Sequence, residues 1–178
     1  MPIIGGSGGG TAGSFTLLGT STLGSSAAQI AVSGIPAGYM ALLVTALLRT
    51  DRANATDGVR VFFNADTTAA NYIYGITQNN AGGGTTSQGD NWLGASAATA
   101  PAGCFGSNRL MVGGYDTTDY IAAFDILSEM GLSGGIFQVV GGASWNSTAV
   151  VSTITLKPVT GPNFVAKSRM AVYGLAAQ

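Results

Sequence analysis

The densest cluster of potential ligand atoms lies in 60-RVFFNADTTAANYIYG-75, where Asn64, Asp66, Thr67, Thr68 and Asn71 fall within eight positions. Oxygen side chains at that density suit a hard cation or a chain reversal. A cation held by oxygen ligands draws on several carboxylates, and this stretch supplies only Asp66. The turn chemistry is more complete. Asn64 and Asp66 can each accept a hydrogen bond from a backbone N–H two residues ahead, and the threonine hydroxyls join the same local net. The stretch is therefore expected to be a structural turn built on Asn64, Asp66 and Asn71, with Tyr72 resuming a strand.

Other constellations are thinner. In 49-RTDRANATDG-58 the oxygens of Asp51, Asn54 and Asp57 recur every three residues. A calcium loop of the EF-hand type needs alternate positions and a closing Glu. This stretch reads as a loop in which Arg49 and Arg52 flank Asp51 as exposed pairs, worth at most about 1 kcal/mol. The acidic residues Asp116, Asp119, Asp125 and Glu129 contain the material for a glycoside-cleaving carboxylate pair, but their spacing does not single one out. Trp92 and Trp145 suit stacking on sugar rings, or anchoring a core or an interface. Both are taken as candidate interface residues.

There is no histidine, and the single cysteine is Cys104. That composition removes histidine-based acid–base catalysis, Ser-His-Asp and Cys-His nucleophiles and the usual zinc sites. An intrachain disulfide is impossible, and Cys104 reads as a small buried apolar residue. GGSGGG, AGGGTT and VVGGASW lack the Lys-Ser/Thr ending of a phosphate loop. Asn54-Ala55-Thr56 and Asn146-Ser147-Thr148 fit the N-glycosylation pattern without a secretion signal to give it meaning. The expectation is a protein that is not an enzyme and has no catalytic, cofactor or metal site.

The elements that would hold these residues are short β-type runs split by turn residues: AQIAVSG, ALLVTALLRTD, VRVFF, NYIYGITQ, RLMVGGYD, YIAAFDILSEM, IFQVVGGASW, AVVSTITLKPV and RMAVYGL. In VRVFF, Val59, Val61 and Phe63 alternate with Arg60 and Phe62. Residues 120–130 are ambiguous and could form a turn or two of helix. Residues 79–103 are rich in Gly, Ser and Thr and read as a long surface excursion. The spacing predicts a single all-β domain over 25–178, an antiparallel β-sandwich or barrel. ALLVTALL and AVVSTITL lack alternation, which suits strands buried on both faces, by the opposite sheet and by a partner. Residues 1–24 read as a Gly/Ser/Thr-rich N-terminal arm or extended edge, with Ile3, Ile4, Phe15, Leu17 and Leu18 available to dock on a neighbour.

Only 8% of the 178 residues are charged, and the net charge is −1. An ordinary share is about 25%. Mean hydropathy is +0.35. So little charge gives no field to attract nucleic acid or an anionic membrane, and a surface of this kind tends to be covered in an assembly. The longest apolar run, 40-MALLVTALL-48, has nine residues, too short to span a bilayer. No basic segment followed by an apolar core opens the chain, so no signal peptide is expected.

Three blocks, FFNADTTAANY, GGASWNSTAVVSTITLKPVTGPNFVAKS and RMAVYGL, together resemble a family of tailed-bacteriophage virion proteins. The matching residues are Phe63, Asn64, Asp66, Asn71 and Tyr72, then Trp145, Thr148, Val151, Ile154, Leu156, Phe164, Ser168, Tyr173 and Gly174. Lys167 stands where the family pattern has glycine, so that turn is expected to differ in detail. The resemblance spans about residues 30–175 and leaves the arm outside. It implies a jelly-roll-like β-sandwich with a structural role.

The reading that follows is a capsid decoration, or cement, protein. It would be made in the host cytoplasm and sit as a homotrimer on the outer surface of the capsid, bound to the major capsid protein. Neither nucleic acid nor membrane is expected as a partner. Deleting residues 1–24 is expected to weaken attachment and leave the fold intact. The alternative is a tail, baseplate or fibre component that binds a host receptor or glycan, with Trp92 and its loop as the contact.

Overall fold

The structure, a computed structural model, describes residues 14–78, 84–88, 92–118, 122–132 and 135–176. Two antiparallel sheets pack face to face. The larger has eight strands in the order β1 (Phe15–Thr22), β12 (Arg169–Leu175), β3 (Ala41–Leu48), β8 (Gly106–Gly113), β9 (Ala122–Leu132), β10 (Gly135–Trp145), β5 (Tyr72–Gln78) and β6 (Gly84–Gln88). The smaller has four, in the order β2 (Ile30–Ser33), β11 (Thr153–Pro158), β4 (Thr56–Phe63) and β7 (Trp92–Ser96). Among the described residues no helix is long and apolar enough to cross a membrane.

The pairing is nested. β1 pairs with β12, β2 with β11, β3 with β8 and β4 with β7, and successive pairs fall alternately in the large and small sheets. A ribbon wound in this way is a jelly roll. Two insertions widen it on one side. The β5–β6 hairpin follows β4, the β9–β10 hairpin follows β8, and β10 pairs with β5 to join them.

The core lies between the sheets and follows the two-residue period of the strands. Leu42, Val44, Ala46 and Leu48 of β3 face Val59, Val61 and Phe63 of β4 and Ile154 and Leu156 of β11, all buried. Phe63 is the hub of an aromatic cluster, edge-on to Phe124 at 5.2 Å and tilted against Trp145 at 5.6 Å. Such contacts add about 0.5–1.5 kcal/mol each to the area they bury.

Two expectations change, and two that were open are decided. The ambiguous segment 120–130 is strand over its described part, most of β9. The predicted surface excursion 79–103 contains β7, whose Leu93 and Ala95 are fully buried. Its small residues are needed for close approach: a Cβ on Gly94 would collide with the tip of Met130. The Gly94 N–H donates to Asn108 Oδ1 at 3.2 Å and Ser128 Oγ at 3.1 Å, so side chains of the large sheet seal this edge of the small one.

Of residues 1–24, expected as an arm or an extended edge, Phe15–Thr22 form β1. This edge strand hydrogen-bonds to β12, and Leu18 and Leu23 pack on the core. Ile3 and Ile4 lie outside the described residues. Finally, β3 is buried on one face only. Leu43, Thr45 and Leu47 stay half-exposed on the outside of the large sheet.

Candidate functional site

Asn64, Asp66 and Asn71 do come together as a turn. Asn64 and Ala65 both take positive φ, 51° and 60°, and Asp66 N–H bonds Phe63 C=O at 2.9 Å. That is the geometry of a type I′ turn. The Asn64 amide then reaches the other end of the chain, donating to Val150 C=O at 2.7 Å and accepting from Ser152 N–H at 2.8 Å. It pins the entry to β11 beside β4.

The Asp66 carboxylate accepts from Thr68 N–H at 2.9 Å, Asn71 Nδ2 at 2.8 Å and Trp145 Nε1 at 2.8 Å. Burial pushes its pKa up, but these donors outweigh burial and hold it at about 2. The Tyr72 hydroxyl donates to Asp66 C=O and accepts from Phe63 N–H. Burial raises that hydroxyl to about 12; the Asp66 charge adds to the rise and the Phe63 bond opposes it. The donors already fill the carboxylate. The cluster joins β4 of the small sheet to β5 and β10 of the large one.

Trp145, expected at an interface, is 3% exposed and spent in this internal net. The side chain of Trp92 is outside the described residues, and its backbone pairs with Arg60 within the small sheet. Asp51 accepts from the backbone N–H and side chain of Asn163, and Asp57 accepts from Gly161 N–H. Both carboxylates therefore hold the 159–163 loop.

The flanking arginines differ from expectation. Arg52 pairs with Asp57 at 3.6 Å, and Arg49 donates to the carbonyls of Ala98, Ala100, Pro101 and Cys104. Cys104 is half-buried rather than buried. The acidic residues scatter: Asp116 accepts from Gly38 N–H, Asp125 from Met111 N–H and Glu129 from Gln138, while Asp119 lies outside the described residues. No group of three or more His, Cys, Asp or Glu that could hold a metal occurs among the described residues.

What remains is a surface: the outer face of the large sheet. Strand register aligns Leu17, Tyr173, Leu43 and Met111 across β1, β12, β3 and β8. A second row holds Thr20, Ala171, Thr45, Arg109, Leu127, Val140 and Thr77. Of the large apolar side chains that stay exposed among the described residues, Phe15, Leu17, Ile73, Ile136 and Val140 all sit on this face, and only Met40 does not. Phe15 and Leu17 occupy the β1 flank, and the other three occupy the β10–β5 flank.

Between the flanks lies a groove of about 600 Å³ over β1, β12, β3, β8 and β9. Of the candidate interface residues, then, Phe15 and Leu17 are exposed while Leu18 turns inward across a bulge. Residues 73, 136 and 140 were missed because outward and inward positions of β5 and β10 are both apolar. The unbroken run ALLVTALL was the one signal of a second apolar face. Comparison of the chain with protein-family models, curated proteins and solved structures gives no match.

Proposed function

We propose that this chain is a structural virion protein of a tailed bacteriophage, a capsid decoration protein that binds and stabilises the major capsid protein shell. The observation that carries the reading is the outer face of the large sheet, where five of the six exposed large apolar side chains among the described residues are gathered on two flanks. Apolar surface collected in this way marks contact with another chain.

The β1 edge supports the same reading. Phe15–Thr22 contains no charge and no proline, the devices that keep an exposed edge from pairing. Two patches at opposite sides of one sheet suit head-to-tail contacts that close around a symmetry axis, for which a trimer is favoured. Among the described residues, Asp51, Asp57 and Asp66 are taken up in holding turns and loops.

The test is re-addition of purified protein to shells that lack it. The wild-type chain should bind to saturation at a fixed ratio to the major capsid protein. Leu17→Gln combined with Val140→Gln should bind at least tenfold more weakly, since each exposed apolar side chain that becomes buried contributes roughly 1.5–3 kcal/mol. Equal binding by the variant contradicts the proposal.

A further inference from the structure

We propose that the groove on the outer face of the large sheet binds an acidic saccharide, with Arg109 and Arg169 as its carboxylate- or sulfate-holding residues. The hydroxyls of Thr20, Thr22, Thr45 and Ser107 line the groove beside the two arginines. Arg169 stands opposite Leu47 and Ser107 across the strands, and Arg109 lies two residues further along β8. With strands about 4.8 Å apart and about 3.4 Å per residue, the two Cα atoms are separated by about 12 Å. Both guanidiniums therefore reach one small ligand.

Charge selects an anion. Arg49 is held by carbonyls, Arg52 by Asp57, and Lys157 lies over the Phe62 ring. Arg109 and Arg169, both exposed, make no hydrogen bond or ion pair among the described residues. The acid in the groove, Glu129, accepts from Gln138 at 3.0 Å and offsets one of the two arginine charges, which leaves the groove with a net positive charge. A guanidinium fork matches a carboxylate or sulfate through two parallel hydrogen bonds.

The surroundings select a sugar. β12, β3 and β8 are interior strands with neighbours on both sides, so their backbone ladders offer nothing to an extended peptide. Recognition must come from side chains. Hydroxyls that both donate and accept match sugar hydroxyls, while Tyr173, Leu47 and Leu127 give an apolar floor for the ring faces. Two arginines on a chain of net charge −1 are too few to hold a nucleic-acid backbone. The argument uses the arginines, hydroxyls and ring-facing side chains of the groove alone, so the inference does not rest on the proposed shell role.

The experiment is an array of uronate-, sialate- and sulfate-bearing oligosaccharides beside their neutral counterparts, probed with the full chain. Some acidic glycan should be retained and its neutral counterpart should not. Arg109→Gln with Arg169→Gln should weaken retention at least tenfold without moving the melting temperature. Arg109→Lys, which keeps the charge and loses the fork, should give an intermediate loss and stands in if the double variant unfolds. No acidic glycan retained, equal retention of neutral glycans, or retention unchanged by the substitutions would each overturn the proposal. So would a poly-glutamate peptide that binds as tightly as the best glycan.

Discussion

At the residue scale, Asp66 and Tyr72 tie one turn to three strands, and their ionisation sets the pH range in which that tie holds. The Asp66 carboxyl ionises near 2 in the fold against an ordinary 3.8. Its contribution is therefore full above about pH 4 and fades as pH falls toward 2, on the order of 1 kcal/mol after solvent screening of a half-exposed group. Tyr72 works at the other end: its pKa rises from 10.0 to about 12. It supports the fold below pH 10 and loses about 2 kcal/mol as pH climbs through 12. Urea unfolding between pH 2 and 5 should show a falling midpoint for the wild-type chain, with the part due to this carboxyl absent in Asp66→Asn. An identical acid dependence in the variant would place the effect elsewhere. Lys167 gives a second test. Its φ of 72° is the left-handed conformation that glycine adopts freely, so the turn keeps the glycine geometry despite the lysine. Lys167→Gly should raise stability by about 1 kcal/mol, and a loss on urea unfolding would contradict that account. The turn at Asn64, Asp66 and Asn71 was legible because Asx chemistry is local. The partners Val150, Ser152 and Trp145 were not, because contacts across some eighty residues leave no mark in spacing.

At the scale of elements, the small-residue strands were the least legible. Runs such as WLGAS look like loop, yet Gly94 and Ala95 are small because Met130 and the neighbouring strand press against them. Tertiary close packing overrides local propensity there. Gly94→Ala should cost about 1–3 kcal/mol by forcing the flexible tip of Met130 aside, read as a lower urea midpoint; made in a Met130→Ala background, the same substitution should recover part of that cost relative to Met130→Ala alone. No recovery in the double variant would show that Met130 is not the clash. Strands with β-branched or alternating residues, such as β4, were legible because they bury one face against the other sheet. Residues 15–22 were left open between an arm and an extended edge because Thr, Ser and Gly pack weakly on their own, and only pairing with β12 makes them an edge strand. Deleting 1–24 is accordingly expected to lower the melting temperature by removing an edge strand and uncovering the core at Leu18 and Leu23. A truncation that melts like the full chain would restore the idea of a detachable arm. Arg49, the one side chain that gathers the 98–104 carbonyls, should be as sensitive: Arg49→Met should open that loop to protease before the rest of the chain unfolds. Cleavage no faster than in the wild-type chain would contradict it.

At the scale of the molecule, the insertions β5–β6 and β9–β10 make one sheet twice as wide as the other, eight strands against four. The inner face is buried as far out as Tyr74 and Ile76 of β5, and nothing in the chain's described residues covers the apolar flanks of the outer one. The low charge seen in the sequence has this spatial form: apolar side chains collected on one broad face, with a hydroxyl- and arginine-lined groove between them. The class of fold was legible from strand number and turn chemistry. Which face would be left open was not, since it depends on how the two inserted hairpins pair with each other through β10 and β5. The proposed role as a shell subunit is tested most directly by the number of copies per purified particle, measured by quantitative mass spectrometry against the major capsid protein. The account predicts many copies in a simple whole-number ratio to that protein. A handful per particle, or none, would contradict it.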